Sequence, residues 1–591
     1  MKVKVRLFRE SLKLVWQSAP GWATANSIIS VIRSFLPLFL LWLLKNVIDE
    51  ITSAVSSGSA SQVLIPVAAL IVVWFLDEAF SEAGNYIRKK QSMKFEDHMY
   101  DLLHSKAVKL DLINFENPEY FDCLSRATRE ATWRPNNILN NLISFLRSVL
   151  SLALITGLIF TLDWLPAVLL LAANIPGIWL RLHYADVLYD FHRTQTPEAR
   201  KTAYYNWLLT GDRPSREIRL FGLGDYFRDL FRKSFLKQKE DELKILKRKT
   251  SIGLISELVK AAAFLAAILF MAEATVDKSI SLGQLAMFLV AFRQGMVYIK
   301  DLLSSLAGLY EDGLFIGDTF EFLNLEEKIK PEDPVLIPGP LKNCIVADNI
   351  SFTYPGNNSP AIENISFEIK KGEIVALVGA NGAGKSTLAR LLCRLYDTDK
   401  GRLLYDNTDI KRFNPDEYRK HFSVIFQDFM LYNLSAGENI RLGEVRANRK
   451  EKISESAEKS GIHKLISDLP KGYDTLIGNL FEESRELSWG EWQKIALARA
   501  LYRDASVLVL DEPASALDPD SEYEIFNRFR EIVKGRTAII ISHRLTNIAL
   551  ANRIIVLDRG RIAEIGTHNE LMDKKGAYYS LYIKQNSRFA Q

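Results

Sequence analysis

The sequence predicts a two-part fold: an all-α half of six membrane-crossing helices, then an α/β half built around a phosphate-binding loop. Three observations carry this. Apolar stretches long enough to cross a bilayer, which takes about 20 residues per helix, recur through the first half of the chain. Residues 379–387 read Gly-Ala-Asn-Gly-Ala-Gly-Lys-Ser-Thr. Downstream, the apolar run Val507-Leu-Val-Leu510 ends in the acidic pair Asp511-Glu512.

The spans are expected over Trp22–Val47, Val63–Tyr86, Ile138–Leu162, Leu165–His183, Ile252–Ala274 and Leu282–Leu306. Charged residues interrupt several of them, including Arg33, Asp77, Arg147, Glu257 and Arg293. Intramembrane charges usually face the bundle interior, so these could line a polar cavity, unless they snorkel at span ends. The basic segment Met1–Lys13 precedes the first apolar run, which is too long for a secretory h-region, and it reads as a retained span.

Loop charge gives the orientation. Residues 49–62 contain no Lys or Arg, and the turns near Asp163 and at 275–281 are short. The basic N-terminus and the long Arg/Lys-rich connections 87–137 and 184–251 lie on the other side. By the positive-inside rule that side is cytoplasmic, so both termini and the α/β half are expected there. The motifs Asn114-Phe-Glu-Asn-Pro118 and Thr210-Gly-Asp-Arg-Pro214 mark the turning points of the connections, since Pro and Gly punctuate helices. The Pro-rich stretch around Pro331–Pro340 is a linker. The boundaries are 1–325 for the membrane part, 326–344 for the linker and 345–591 for the α/β part.

A net charge of +4, from 75 basic and 71 acidic residues, carries no nucleic-acid signature. Cys123, Cys344 and Cys393 cannot make a disulfide framework, which fits a reducing side for the soluble part.

The loop has the context its chemistry needs. Ile374–Val378 is a short apolar strand entering it, and a helix follows from Ser386. Backbone N–H groups across Gly379, Asn381, Gly382 and Gly384, with the helix N-terminus at Ser386 and Thr387, form an anion cradle. Lys385 is expected on the β- and γ-phosphates of ATP, and Ser386 on Mg²⁺. Asp511, ending a buried strand, is expected in the Mg²⁺ shell. Glu512, one residue on, is placed to act as general base toward water.

With these motifs in order, the chain resembles an ATP-binding cassette (ABC) exporter half-transporter over essentially its whole length: an all-α six-helix transmembrane domain followed by an α/β P-loop ATPase domain. The resemblance implies further roles. Tyr354 matches the aromatic that stacks on adenine. Gln427 matches the glutamine that touches Mg²⁺ and senses the membrane domain. His543 matches the histidine at the γ-phosphate, and Asp518 lies in the loop crossing between two ATPase domains. The signature motif Leu487-Ser-Trp-Gly-Glu491 keeps Ser488 and Gly490, which face the partner's ATP in the family. It departs at Trp489 and Glu491, where the family has glycine and glutamine. Trp489 is expected to leave sideways, over Trp492 or the partner's surface, because Ser488 and Gly490 preserve the phosphate contact.

The resemblance implies ATP-driven export of a peptide-like or amphiphilic substrate by a dimer of half-transporters in the cell inner membrane, in contact with lipids and without nucleic acid. The Phe115–Tyr120 turn and the Glu217–Gly222 run are similar to bacterial peptide and lantibiotic-type exporters. A lipid or multidrug flippase, or an ATP-gated regulator or importer on the same fold, is the alternative.

Overall fold

The computed structural model describes residues 2–57, 63–116, 131–177, 196–331, 339–447, 449–512 and 551–589, with short described stretches at 120, 123–124, 127–128, 179–180, 183–184, 187, 191, 532–533, 535–542 and 548. The chain divides into two compact units. One comprises Met1–Val108 with Asp122–Leu325, the other Lys109–Phe121 with Glu326–Gln591.

The first unit is helical among its described residues. Five helices are long and apolar enough to cross a membrane: Pro20–Val55, Leu64–Lys109, Arg134–Phe160, Gly224–Val276 and Leu282–Gly313. The fourth expected span corresponds to the shorter apolar helix Trp164–Gly177; residues 178, 181 and 182 of that span lie outside the described residues. At 46 and 53 residues, two of the helices reach about 70 and 80 Å, far beyond a hydrocarbon core of about 30 Å. Both helices therefore run on into the long basic connections, over residues 87–109 and 224–251.

Local sequence sets several ends. Asp163 accepts from the Leu165 N–H at 2.9 Å and starts the Trp164 helix. Ser281 and Gln284 close a capping box that starts the last long helix at Leu282. Along that helix, Met287, Phe288, Ala291 and Phe292 pack with Ile155, Ile159, Leu170 and Met271 in one buried core.

The unit also buries polar groups. Arg134 and Asp312 form an ion pair at 3.0 Å, and the Asn141 amide also donates to Asp312 at 3.1 Å. The Asn26 amide donates to Gln91 and Asn140, and the Gln91 amide donates to Asn136 at 2.8 Å. Other faces carry apolar side chains outward, such as Ile65, Val72, Trp74 and Phe75. An apolar band of this kind suits lipid rather than water.

Among its described residues the second unit holds two sheets. β1 (Cys344–Phe352), β2 (Ile362–Lys370), β4 (Lys400–Tyr405) and β5 (Thr408–Asp409) form an antiparallel sheet in the order β2-β1-β4-β5. β3 (Ile374–Gly379), β6 (Phe422–Ile425), β7 (Val507–Asp511), β8 (Thr537–Ile541), β9 (Arg553–Asp558) and β10 (Arg561–Gly566) form the other, ordered β10-β9-β3-β8-β7-β6. Its strands pair in parallel except for β10, which runs antiparallel to β9 at one edge. β7 and β8 are buried at every residue and β3 beyond its first, which explains their continuous Val/Ile/Leu runs: a parallel sheet is covered on both faces. In this order β3 and β7 flank β8, so the carboxyl ends of the strand before the glycine loop and the strand ending in Asp511 open on the same edge.

Candidate functional site

The glycine loop leaves β3 at Gly379 and enters the helix Lys385–Leu392 through Gly384, whose φ is +98°. A β-carbon on Gly384 would lie 2.7 Å from the Ala361 carbonyl oxygen and 2.8 Å from Ile362. The backbone turn and the close approach both demand glycine there. The Lys385 ammonium donates to the carbonyls of Gly379 (3.0 Å) and Ala380 (2.9 Å), curling over its own loop. Burial draws its pKa below the usual lysine range, while the nearby Glu512 and Asp511 carboxylates oppose that shift.

Asp511 is buried at the end of β7. Burial raises its carboxyl above the usual range, opposed first by a hydrogen bond from Ser386. Glu512 follows with φ at +51°, an uncommon left-handed geometry for a residue with a side chain. Its N–H donates to the Ile541 carbonyl at 3.0 Å, tying the strained residue to the neighbouring strand. Its carboxylate accepts from the Gln427 amide at 2.9 Å, although 85 residues separate them. Backbone in sparsely populated regions concentrates at functional sites.

A cavity of about 640 Å³ gathers Tyr354, Asn381, Gly382, Gly384, Lys385, Ser386, Thr387, Gln427 and Glu512. The structure thus brings together residues that the sequence singles out separately. Gly379 lies at the base of the loop, and Asp511 is reached through Ser386. The Tyr354 hydroxyl shares a 3.0 Å hydrogen bond with Thr387, and the ring packs edge-on against Phe352 and Tyr396. His543 and Asp518, with the rest of 513–531, lie outside the described residues.

Ser488 and Gly490 are not part of that cavity. Ser488 is the N-cap of the helix Trp489–Tyr502. Glu491 closes a capping box with it: the Glu491 carboxylate accepts from the Ser488 N–H at 2.7 Å. The acid in the signature motif is therefore turned back on its own helix. Trp489 does leave sideways, but onto Phe429, with ring centroids 5.0 Å apart. Trp492 is only 4% exposed and belongs to a separate core with Ile440, Ile477 and Leu487.

Sequence reasoning missed three features here. Gln493, one helical turn past Trp489, donates to the backbone carbonyl of Glu512 at 3.3 Å. Arg390 reaches the Tyr354 hydroxyl at 3.4 Å. Glu116, from the turn at 112–116, meets Tyr396 and Arg390. The one available signal was position: Gln493 and Trp489 sit at i and i+4, and Arg390 one turn into the loop's helix.

Comparison with known proteins identifies the family. The ABC transporter family profile matches residues 362–515. The chain is 32% identical over 563 residues to the subtilin transport ATP-binding protein SpaT of Bacillus subtilis, covering 94% of this chain and 90% of that one. It is 29% identical to the nisin transport ATP-binding protein NisT of Lactococcus lactis, covering 97% and 95%. It is 27% identical to an ATP-dependent lipid A-core flippase of Syntrophus aciditrophicus, covering 98% and 95%. In fold it is similar to a bacterial Atm1-family ABC exporter solved with ATP bound, at a TM-score of 0.81 and 23% identity, covering 95% of this chain and 98% of that one. The chain belongs to the ABC transporter family, as an exporter-type half-transporter that couples ATP hydrolysis to transport across a membrane.

Proposed function

We propose that two copies of this chain form an exporter of a peptide-like amphiphile in the cell inner membrane. In this reading 1–325 is the membrane domain, 326–344 the linker and 345–591 the ATPase domain, with both termini cytoplasmic. The observation that carries the substrate class is similarity along nearly the whole chain, membrane part included, to the subtilin and nisin transport proteins.

The site residues take the following roles. Backbone N–H groups of 379–387 and the Lys385 ammonium hold the ATP phosphates once Lys385 exchanges its loop carbonyls for phosphate oxygens. Tyr354 supports the adenine. Glu512 takes the proton of the attacking water, and Gln427 orients its carboxylate. His543 contacts the γ-phosphate. Ser488 and Gly490 of the partner copy close over it, with Asp518 in the loop between the two ATPase domains. Ser386, Asp511 and Gln427 would hold Mg²⁺, which when bound neutralises phosphate charge. One carboxylate, one hydroxyl and one amide form a hard-oxygen set that fits this ion, with phosphate and water completing its shell.

The test is ATPase activity of the purified chain in lipid vesicles with cationic lantibiotic-type peptides, lipid A or fluorescent lipids, together with co-purification of tagged and untagged copies. Peptide-stimulated turnover with directional peptide movement supports the reading. Stimulation by lipid A alone overturns the substrate class in favour of a flippase, which the similarity to lipid A-core flippases supports. Activity that appears only with a second, different half-transporter overturns the homodimer.

A further inference from the structure

The family pattern has glycine where this chain has Trp489, and the surroundings of that ring show what the larger side chain does. Its partner, Phe429, lies two residues beyond Gln427 in the same loop. Phe429 touches two cores. One is the sheet core, with Ile425, Leu508, Leu510 and Ile540. The other is the helical core, with Ile440, Ile477 and Trp492. Trp489 covers Phe429 and remains 47% exposed itself. One turn along the same helix, Gln493 donates to the Glu512 carbonyl. Residues at i and i+4 share a helix face. A single face of the helix thus meets Glu512 directly through Gln493, and meets the loop that positions Gln427 through Trp489.

We propose that Trp489 is a positioning residue for ATP hydrolysis: stacked on Phe429, it holds the Gln427 loop so that the Gln427 amide stays on the Glu512 carboxylate. The departure from glycine is then a gain of cis contact. The helix that begins at Ser488 is fastened to the hydrolytic pair of its own subunit, and movement of that helix is transmitted to Gln427 through two aromatic rings. With glycine at 489 Phe429 would lose this ring and keep its contacts with the two cores, so the loop would be held less firmly and Gln427 could draw away from Glu512. The inference rests on Glu512 and Gln427 acting in hydrolysis.

The experiment measures ATP turnover and direct ATP binding for the full chain in lipid vesicles. Trp489→Gly should lower kcat by about 3- to 10-fold, the worth of one aromatic pair in a barrier, with KM and ATP affinity unchanged. Trp489→Phe should restore turnover. Phe429→Leu, which stays apolar but removes the ring, should show the same loss, and the double variant Phe429→Leu/Trp489→Gly should be no worse than either single one. Unchanged or faster turnover in Trp489→Gly overturns the proposal. A raised KM with additive losses also overturns it, because that pattern belongs to a contact with the partner's nucleotide. Glu512→Gln is the separate control. If it hydrolyses at the parental rate, the reading of Glu512 has failed. If it is inactive while Trp489→Gly is normal, only the role of Trp489 has failed.

Discussion

The hydroxyl of Tyr396 donates a short hydrogen bond to the carboxylate of Glu116, across 280 residues of sequence. Glu116 also lies 3.9 Å from Arg390, which reaches the Tyr354 hydroxyl, and Tyr354 in turn bonds to Thr387 at the glycine loop. Burial and this carboxylate together hold the Tyr396 phenol well above the usual tyrosine range, so it stays a donor. Nearby, Asp111 accepts from the backbone N–H groups of Lys328 and Ile329, and Ile113 packs against the core that holds Ile345, Phe352 and Tyr396. The short segment 109–116 is thus bonded within the ATPase unit.

Glu116→Ala should therefore loosen that segment and weaken coupling without emptying the nucleotide site. Hydrogen bonds to a charged group are worth about 1.5–3 kcal/mol. Amide hydrogen exchange over 112–116 should rise at least about tenfold on that scale, and substrate-stimulated ATPase should fall toward the basal rate. Unchanged exchange would show that Glu116 is not what holds the segment.

Glu512→Gln should bind ATP and lose turnover by about 100-fold or more, the range of general-base contributions. The amide keeps the shape of the carboxylate but cannot take a proton from water. Removing divalent cations with EDTA should abolish hydrolysis in the parent protein. Single-turnover kinetics with labelled ATP separate the binding step from the chemical one.

Lys385→Ala should weaken ATP binding itself, by about tenfold or more, since it removes a charge-assisted contact to phosphate. The apo protein should tolerate the change. Among the described residues Lys385 bonds to carbonyls of its own loop, and burial already disfavours its charged form. Isothermal titration with ATP is the direct measurement; parental affinity would remove Lys385 from the phosphate site.

Glu491→Gln should leave ATPase activity within about twofold, because glutamine also closes a capping box. Glu491→Ala should cost about 1 kcal/mol of stability, because the Ser488 N–H loses its carboxylate acceptor while the Ser488 hydroxyl still caps the N–H of residue 491. Thermal unfolding of the two variants side by side distinguishes a helix-cap role from an effect on phosphate.

What was legible in the sequence is what local interactions dictate. A strand of Ile374–Gly379, a glycine loop and a helix from Lys385 lie within 20 residues, and their turns and close approaches admit few side chains, so the phosphate cradle could be read directly. The membrane helices were legible because hydropathy over about 20 residues is a property of one segment alone. Trp164–Gly177 shows the limit: a shorter apolar helix gives a weaker segmental signal of where it ends. The left-handed backbone of Glu512 and the bonds of Gln427 to Glu512, Glu116 to Tyr396 and Gln493 to Glu512 depend on which strands lie side by side. The same holds for Trp489: its residue type was visible beside Ser488, but Phe429 lies 60 positions earlier, and only closure of the sheet and helical cores around that ring brings the two together. Sequence sets the chemistry each residue can perform, whereas long-range packing, which no local pattern encodes, selects the partner it performs it with.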